Sequence, residues 1–524
     1  MRKRATHSAQ HGGIVSQGSD DAPTGPITGQ PPPATVAPPR RRPLTRNVTA
    51  GVLLVVALVL PWNLYFGVGI PGSRLVLFAL LWAVTLLSLL SLAVTRLRVP
   101  LNIPYQLLVI AFVGFDVVQT IRSGGGVHVP GGVGPGAWLG IAGSLLAAQP
   151  DERFRSARLI GYTSMAVASL STAFHLFWRV RFALQGGSGL GDQNIAVIAT
   201  AVVYGAVALA AVLVASRWLP RSSDASRLAT VALGASTLVA GIVVWALPVG
   251  RDIDAFHSIA QNTSTAGVGY EGYLAWAAGA AIFAPSALAG YRGTSSPWRA
   301  AARKALLLIA VWCLGSVLMR LTDLAVAVTL DYPYSRYDTL TLAAFDLATG
   351  VLAIWLRVSL ANVSVSRRLT TSLCGLLGAL SISRVIVGVM LAPRFLEPPN
   401  GGGWANPVYG NDLAQQITST FDVALCGLAL SILAAAVISG RRGPMTRKPR
   451  AAHSRTAKPP APVPPSAAAT TRIPTRPAGE APTAVISLPA GSPRIFRGDD
   501  SATRQIQIPP AAKPRIYRPP HDPS

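Results

Sequence analysis

Between residues 49 and 439 the chain is a succession of apolar stretches, most of them near the length of a bilayer crossing, and this restricts its fold more tightly than any other feature. A helix needs ~20 apolar residues to span a ~30 Å hydrocarbon core. Only helices and closed barrels satisfy every backbone hydrogen bond there. Twelve stretches are legible. The first six are Thr49–Ile70, Leu75–Thr95, Leu101–Ile121, Gly132–Ala148, Leu159–Trp178 and Ile195–Ala215. The second six are Leu228–Leu247, Tyr270–Ala289, Ala305–Leu330, Thr339–Leu356, Leu369–Ala392 and Leu413–Ser439. The fourth is rich in glycine and strongly apolar only from Ala137 onward. Without it, the basic segment PDERFRSAR falls on the same side of the membrane as the glycine loop that precedes it.

The expected fold is an all-α polytopic membrane helix bundle of about twelve transmembrane helices in hairpin pairs, spanning residues 49–439. Composition agrees: 50% of residues are hydrophobic and 13% charged, whereas a soluble domain carries about 25% charged residues. The net charge of +25 is then a matter of topology. The five connections after even-numbered stretches hold 15 Lys or Arg against Asp151, Glu152 and Asp224. Connections after odd-numbered stretches are close to neutral. By the positive-inside rule the even connections and both termini are cytoplasmic, and the plasma membrane is the expected location.

Residues 1–48 and 440–524 flank this domain as polar tails rich in Pro, Ala, Arg and Thr, expected to be disordered because they cannot bury enough apolar surface to offset their ordering entropy. No apolar run precedes Thr49, so the first span is the expected insertion signal. Cys313, Cys374 and Cys426 all lie in apolar stretches, with no disulfide framework and no metal-binding pair.

An ionisable residue inside a span costs several kcal/mol unless paired or wetted, which makes it a functional candidate. Asp116, Arg320, Asp323, Asp346, Arg384 and Asp422 qualify, at ~8–15 Å below the outer surface by helix rise. Arg320 and Asp323 share a face at i,i+3 spacing, where they can pair directly. Asp346 and Asp422 follow Phe345 and Phe421 in similar contexts, and Arg384 lies at matching depth. A network of five within the last four helices is expected, with Asp116 near Arg122 on the third. Such a network either specifies helix packing or lines an outward-open polar crevice. His175, beside Arg179 and Arg181, reads as an interfacial residue. Asp252, Asp254 and His257 have a metal-like spacing but read as a solvated loop, so no metal and no cofactor are expected.

Two descending stretches begin alike, Gly132-Val-Gly-Pro-Gly-Ala-Trp-Leu and Gly267-Val-Gly-Tyr-Glu-Gly-Tyr-Leu. Hairpin duplication and shared glycine-rich composition both account for the likeness. No Walker phosphate loop is present, and the first outer loop lacks the acidic pair usual in multi-span glycosyltransferases that use lipid-linked sugars. Twelve spans with both ends inside resemble the major facilitator superfamily in topology alone. The loop Thr95-Arg-Leu-Arg-Val-Pro departs from the G-x-x-x-D-[RK] turn of that family. The Ala, Val, Leu, Arg and Gly bias resembles that of uncharacterised multi-pass membrane proteins of high-GC actinobacteria, a likeness of composition. No catalytic signature appears, and an enzyme is not expected.

The tails carry two recurring patterns. Thr24, Thr470, Thr483 and Thr503 each stand in T-x-x-I after Ala or Pro, a spacing that suits phosphorylation and a phosphothreonine-reading partner. Arg494, Phe496 and Arg497 in PRIFR, and Arg515, Tyr517 and Arg518 in PRIYR, suit anionic lipid headgroups or a partner groove. The basic residues are dispersed and nucleic acid is not an expected partner. The expected function is a non-catalytic membrane scaffold or envelope-associated protein, with a permease or flippase-like transporter as the alternative.

Overall fold

The computed structural model describes residues 42–62, 74–122, 133–148, 153–185, 191–221, 223–247, 270–289, 297–331, 336–361, 365–391 and 420–441. Twelve α-helices run through them: α1 (Arg42–Val59), α2 (Leu75–Ala93), α3 (Arg98–Arg122), α4 (Pro135–Ala148), α5 (Arg153–Gln185), α6 (Asp192–Ser216), α7 (Asp224–Ala246), α8 (Tyr270–Ala289), α9 (Trp298–Thr329), α10 (Arg336–Ser359), α11 (Arg367–Met390) and α12 (Thr420–Arg441). No strand is present among the described residues. Eight of the helices are long and apolar enough to cross a membrane, and α1, α4 and α8 contain shorter apolar helices. The chain is therefore an integral membrane protein with an all-helical body.

Each helix follows from its sequence, and several differ in extent from the apolar stretch that announces them. Ser223 and Ser366 cap α7 and α11, their side chains accepting from Ser226 N and Leu369 N. The helix α1 begins at Arg42 and ends at Val59, just ahead of Pro61, instead of running on from Thr49. With 33 residues, α5 extends beyond both ends of its apolar stretch. In α2 the residues facing the bundle are Leu81, Val84, Thr85, Ser88 and Ser91, so hydroxyls point inward and Leu outward, the reverse of a water-facing helix. Lipid requires that inversion. Thr85 and Ser91 satisfy their hydroxyls on the helix itself, donating to Leu81 O and Ser88 O.

When the helices are taken in three successive groups of four, α1–α4, α5–α8 and α9–α12, the first helix of each packs on the fourth, and α4 on α8, α6 on α9 and α7 on α12 join the groups. At the centre lies α4, against α1, α2, α3, α7 and α8; all its residues are buried except Ile141 and Leu145. Its entry explains the glycine-rich sequence that precedes it. Gly134 N donates to Trp62 O and Gly136 N to Pro61 O, which stitches the start of α4 to the end of α1. A Cβ on Gly136 would collide with Leu60 O and the Trp62 indole, so only glycine permits the approach.

The two similar sequence segments meet in space. Trp138 and Tyr273 occupy equivalent places in them, and their rings lie 4.6 Å apart between α4 and α8. The aromatic seam continues through Trp276 to Phe421 on α12 at 5.6 Å and from Phe421 to Trp312 on α9 at 5.0 Å. All five rings are fully buried. The seam joins the three groups of helices and ends beside the intramembrane charges.

Candidate functional site

A period of 3.6 residues sets Trp312, Ser316, Arg320 and Asp323 on one face of α9. All four are buried. Opposite them, α10 supplies Asp346, α11 supplies Arg384 and α12 supplies Asp422. Asp346 is the hub: its Oδ2 accepts from Arg320 Nε at 2.8 Å and its Oδ1 accepts from Arg384 Nε. Arg384 turns its Nη1 to Asp422 Oδ1 at 2.6 Å and its Nη2 to Ser316 Oγ at 3.3 Å. Trp312 Nε1 donates to the same Asp422 oxygen at 2.6 Å.

The result is a row of alternating charge, Asp422, Arg384, Asp346 and Arg320, with net charge zero. Asp346 is 0% exposed, Asp422 2%, and each Arg 5%. Arginine suits this position because its planar fork engages two carboxylates at once, which a lysine ammonium cannot do with the same geometry. The four side chains are buried, and their ion pairs tie four helices together.

The structure brings five of the six intramembrane residues into one region, with a division of labour that spacing alone does not reveal. Arg320 and Asp323 share a face, but Arg320 reaches across to Asp346, and Asp323 Oδ2 accepts from Tyr204 on α6 at 2.5 Å. Asp116 is buried on α3, a helix of the first group that packs on α2 and α4. Tyr204, Trp312 and Ser316 give no charge signal and are missed by sequence reasoning. Only the i,i+4 spacing of Trp312 and Ser316 ahead of Arg320 hints at two of them.

His175 is 5% exposed, and Arg179, assigned to a loop by its sequence, is 4% exposed inside α5. All three cysteines are free and buried, and Cys426 Sγ donates to Ser381 O at 3.1 Å. No group of His, Cys, Asp and Glu among the described residues has metal-binding geometry. The Asp252, Asp254 and His257 loop lies outside the described residues. So do Thr24, Thr470, Thr483 and Thr503, and the PRIFR and PRIYR segments with Arg494, Phe496, Arg497, Arg515, Tyr517 and Arg518.

A family profile, described as a domain of unknown function (DUF7937), matches residues 43–441. That segment coincides with the run of helices from α1 to α12. No curated protein and no solved structure matches the chain.

Proposed function

The chain belongs to the DUF7937 family, and from that premise we propose that this integral membrane protein is a non-catalytic scaffold or envelope-associated protein, a rigid helical body that presents cytoplasmic tails to partners. The observation that carries the reading is the buried, charge-neutral row of Asp422, Arg384, Asp346 and Arg320, each charge engaged by another. Buried pairs of this kind fix helix register and packing. They serve a body that holds its shape better than one that opens and closes around a solute.

In the same reading twelve spans cross the plasma membrane, residues 1–48 and 440–524 lie in the cytoplasm, and the basic tails touch anionic headgroups. The T-x-x-I threonines dock a phosphothreonine reader once modified. The alternative, a permease or flippase-like transporter, draws on one observation: the polar row does not stop at the quartet but continues through Asp323 to Tyr204 on α6.

Co-purification of the full chain, of a chain ending at residue 444, and of the Asp346→Asn and Asp422→Asn variants separates the two. A scaffold loses its partners with the tail and keeps them in both Asn variants at matched protein level. Partner sets that survive truncation, or a solute flux abolished by either Asn variant, refute the scaffold.

A further inference from the structure

A cluster of positive charge stands where the end of α6 meets the start of α9. The two helices pack antiparallel: Gly315 on α9 lies against Val207 on α6, and Asp323 farther along α9 meets Tyr204 farther back on α6. Beyond Ser216 the coil is carried on by backbone bonds from Trp218 N to Ala215 O, Leu219 N to Ser216 O and Arg221 N to Trp218 O. About three turns from the Gly315–Val207 contact along each helix, Lys304 comes level with Trp218. Three turns also return a side chain to the same face, so Lys304 occupies the face of α9 that meets α6. Arg217 and Arg221 flank Trp218, and the charges of both act on the Lys304 ammonium.

The turn that carries the two arginines is held in place. Trp218 and Leu219 are buried beneath it. Ser216 Oγ meets Ser164 Oγ at 2.9 Å and accepts from Trp276 Nε1 at 3.1 Å. Gly161 on α5 admits the turn, since a Cβ there would lie 2.7 Å from Pro220 Cδ and 2.9 Å from Leu219 Cβ. Arg217, Arg221 and Lys304 make no ion pair among the described residues, and Asp224, the nearest acid in sequence, pairs with Arg227 at 3.5 Å. The carbonyl end of α6 offers about half a negative charge against these three positive ones. Like charges gathered on a fixed turn repel until an anion joins them.

Two guanidinium forks and an ammonium suit a phosphoryl group, whose several oxygens accept from all three at once. The apolar stretches of α6 and α9 end at Ala215 and begin at Ala305, so the cluster lies at the boundary between hydrocarbon and headgroups. Lys304 is half-buried there, a position in which its methylenes cover apolar surface while the ammonium reaches the boundary. We propose that Arg217, Arg221 and Lys304 form a phosphate-binding site at the junction of α6 and α9, taking the phosphoryl group of an anionic lipid headgroup or free inorganic phosphate. The site rests on neither the scaffold nor the transporter reading.

The test uses the full chain, delipidated in a neutral maltoside detergent. One arm adds phosphatidylglycerol, with diacylglycerol as the control lacking phosphate, and reads bound lipid by native mass spectrometry. The other titrates inorganic phosphate by calorimetry. Saturable binding is expected, of phosphatidylglycerol if the phosphoryl group is a headgroup's and of inorganic phosphate alone if it is free. Lys304→Met and Arg221→Gln each weaken it about tenfold, the loss of one hydrogen bond between charged groups, at unchanged helical circular dichroism. Arg221 is exposed, so Arg221→Gln decides the matter even if Lys304→Met fails to fold. Arg368→Gln removes an exposed charge of the same sign at the start of α11 and leaves binding unchanged. No saturable binding in either arm, diacylglycerol held as well as phosphatidylglycerol, binding unchanged in Arg221→Gln, or an equal loss in Arg368→Gln overturns the proposal.

Discussion

Replacing Arg384 by Met is the sharpest test of the charge row, because Arg384 touches both Asp346 and Asp422. Its loss removes the contact with Asp346 Oδ1, the 2.6 Å pair with Asp422 and the 3.3 Å bond to Ser316, while the methylene volume is largely kept. Asp346 retains Arg320 at 2.8 Å, and Asp422, 2% exposed, retains the Trp312 Nε1 donor at 2.6 Å but loses the Arg384 charge. Removing one partner of a buried pair costs about 3–5 kcal/mol, since the other charge is left uncompensated. That is a shift of roughly 150- to 5000-fold in the folded-to-unfolded ratio at ~1.4 kcal/mol per decade. Equilibrium unfolding in mixed micelles of mild detergent and dodecyl sulfate, followed by tryptophan fluorescence, measures it. Neutralising the stranded charge in Arg384→Met/Asp422→Asn restores a net charge of zero, so part of the loss is recovered and the coupling energy amounts to about 1–3 kcal/mol. A single variant within about 1 kcal/mol of wild type, or strictly additive losses in the double variant, would refute the reasoning.

Other outcomes follow from single contacts. Tyr204→Phe strips the 2.5 Å donor from Asp323 and costs about 1.5–3 kcal/mol in the same assay, the range for a hydrogen bond to a charged group; a loss under 0.5 kcal/mol counts against the bond. Gly136→Ala forces a methyl into Leu60 O and Trp62 and destabilises by about 1–3 kcal/mol, whereas Gly375→Ala, with nothing within 4 Å of the new methyl, stays neutral or gains up to about 1 kcal/mol of helix propensity. Cys313, Cys374 and Cys426 are 1%, 0% and 9% exposed, so the folded protein resists a hydrophilic maleimide and takes up three labels once unfolded; rapid labelling of the native chain contradicts the packing.

Much of the body is legible from the sequence for a physical reason. Lipid demands long apolar helices, and a run of ~20 apolar residues has almost no other way to fold. The stretch Leu75–Thr95 reappears as α2 within two residues, and Tyr270–Ala289 as α8. Ends are less legible where charged residues continue a helix past the hydrocarbon, as at Arg153 in α5 and Trp298–Lys304 in α9. Such residues lower hydropathy without lowering helix propensity.

The intramembrane charges stand out in the sequence because each would be too costly without a partner, and that cost singles out Arg320, Asp323, Asp346, Arg384 and Asp422. Their partners do not stand out. Tyr204 is 119 residues from Asp323, and Trp312 is 110 from Asp422. Nothing local distinguishes either aromatic from a lipid-facing one. Arg179, read as a loop residue, is misplaced for a related reason: a charge just past an apolar stretch has the same sequence context whether it lies in a loop or continues the helix.

By itself, then, the sequence determines the solvent of each segment, because transfer between water and lipid depends on composition over ~20 residues. It also determines which buried groups must find partners. The tertiary structure decides who those partners are: that Asp346 is shared by two arginines, that Trp138 meets Tyr273, and that each first helix returns to the fourth. In lipid every apolar face is equally at ease outside. The choice of neighbour therefore rests on close approach at small residues such as Gly136 and on scarce polar contacts, which exist only once distant helices are side by side.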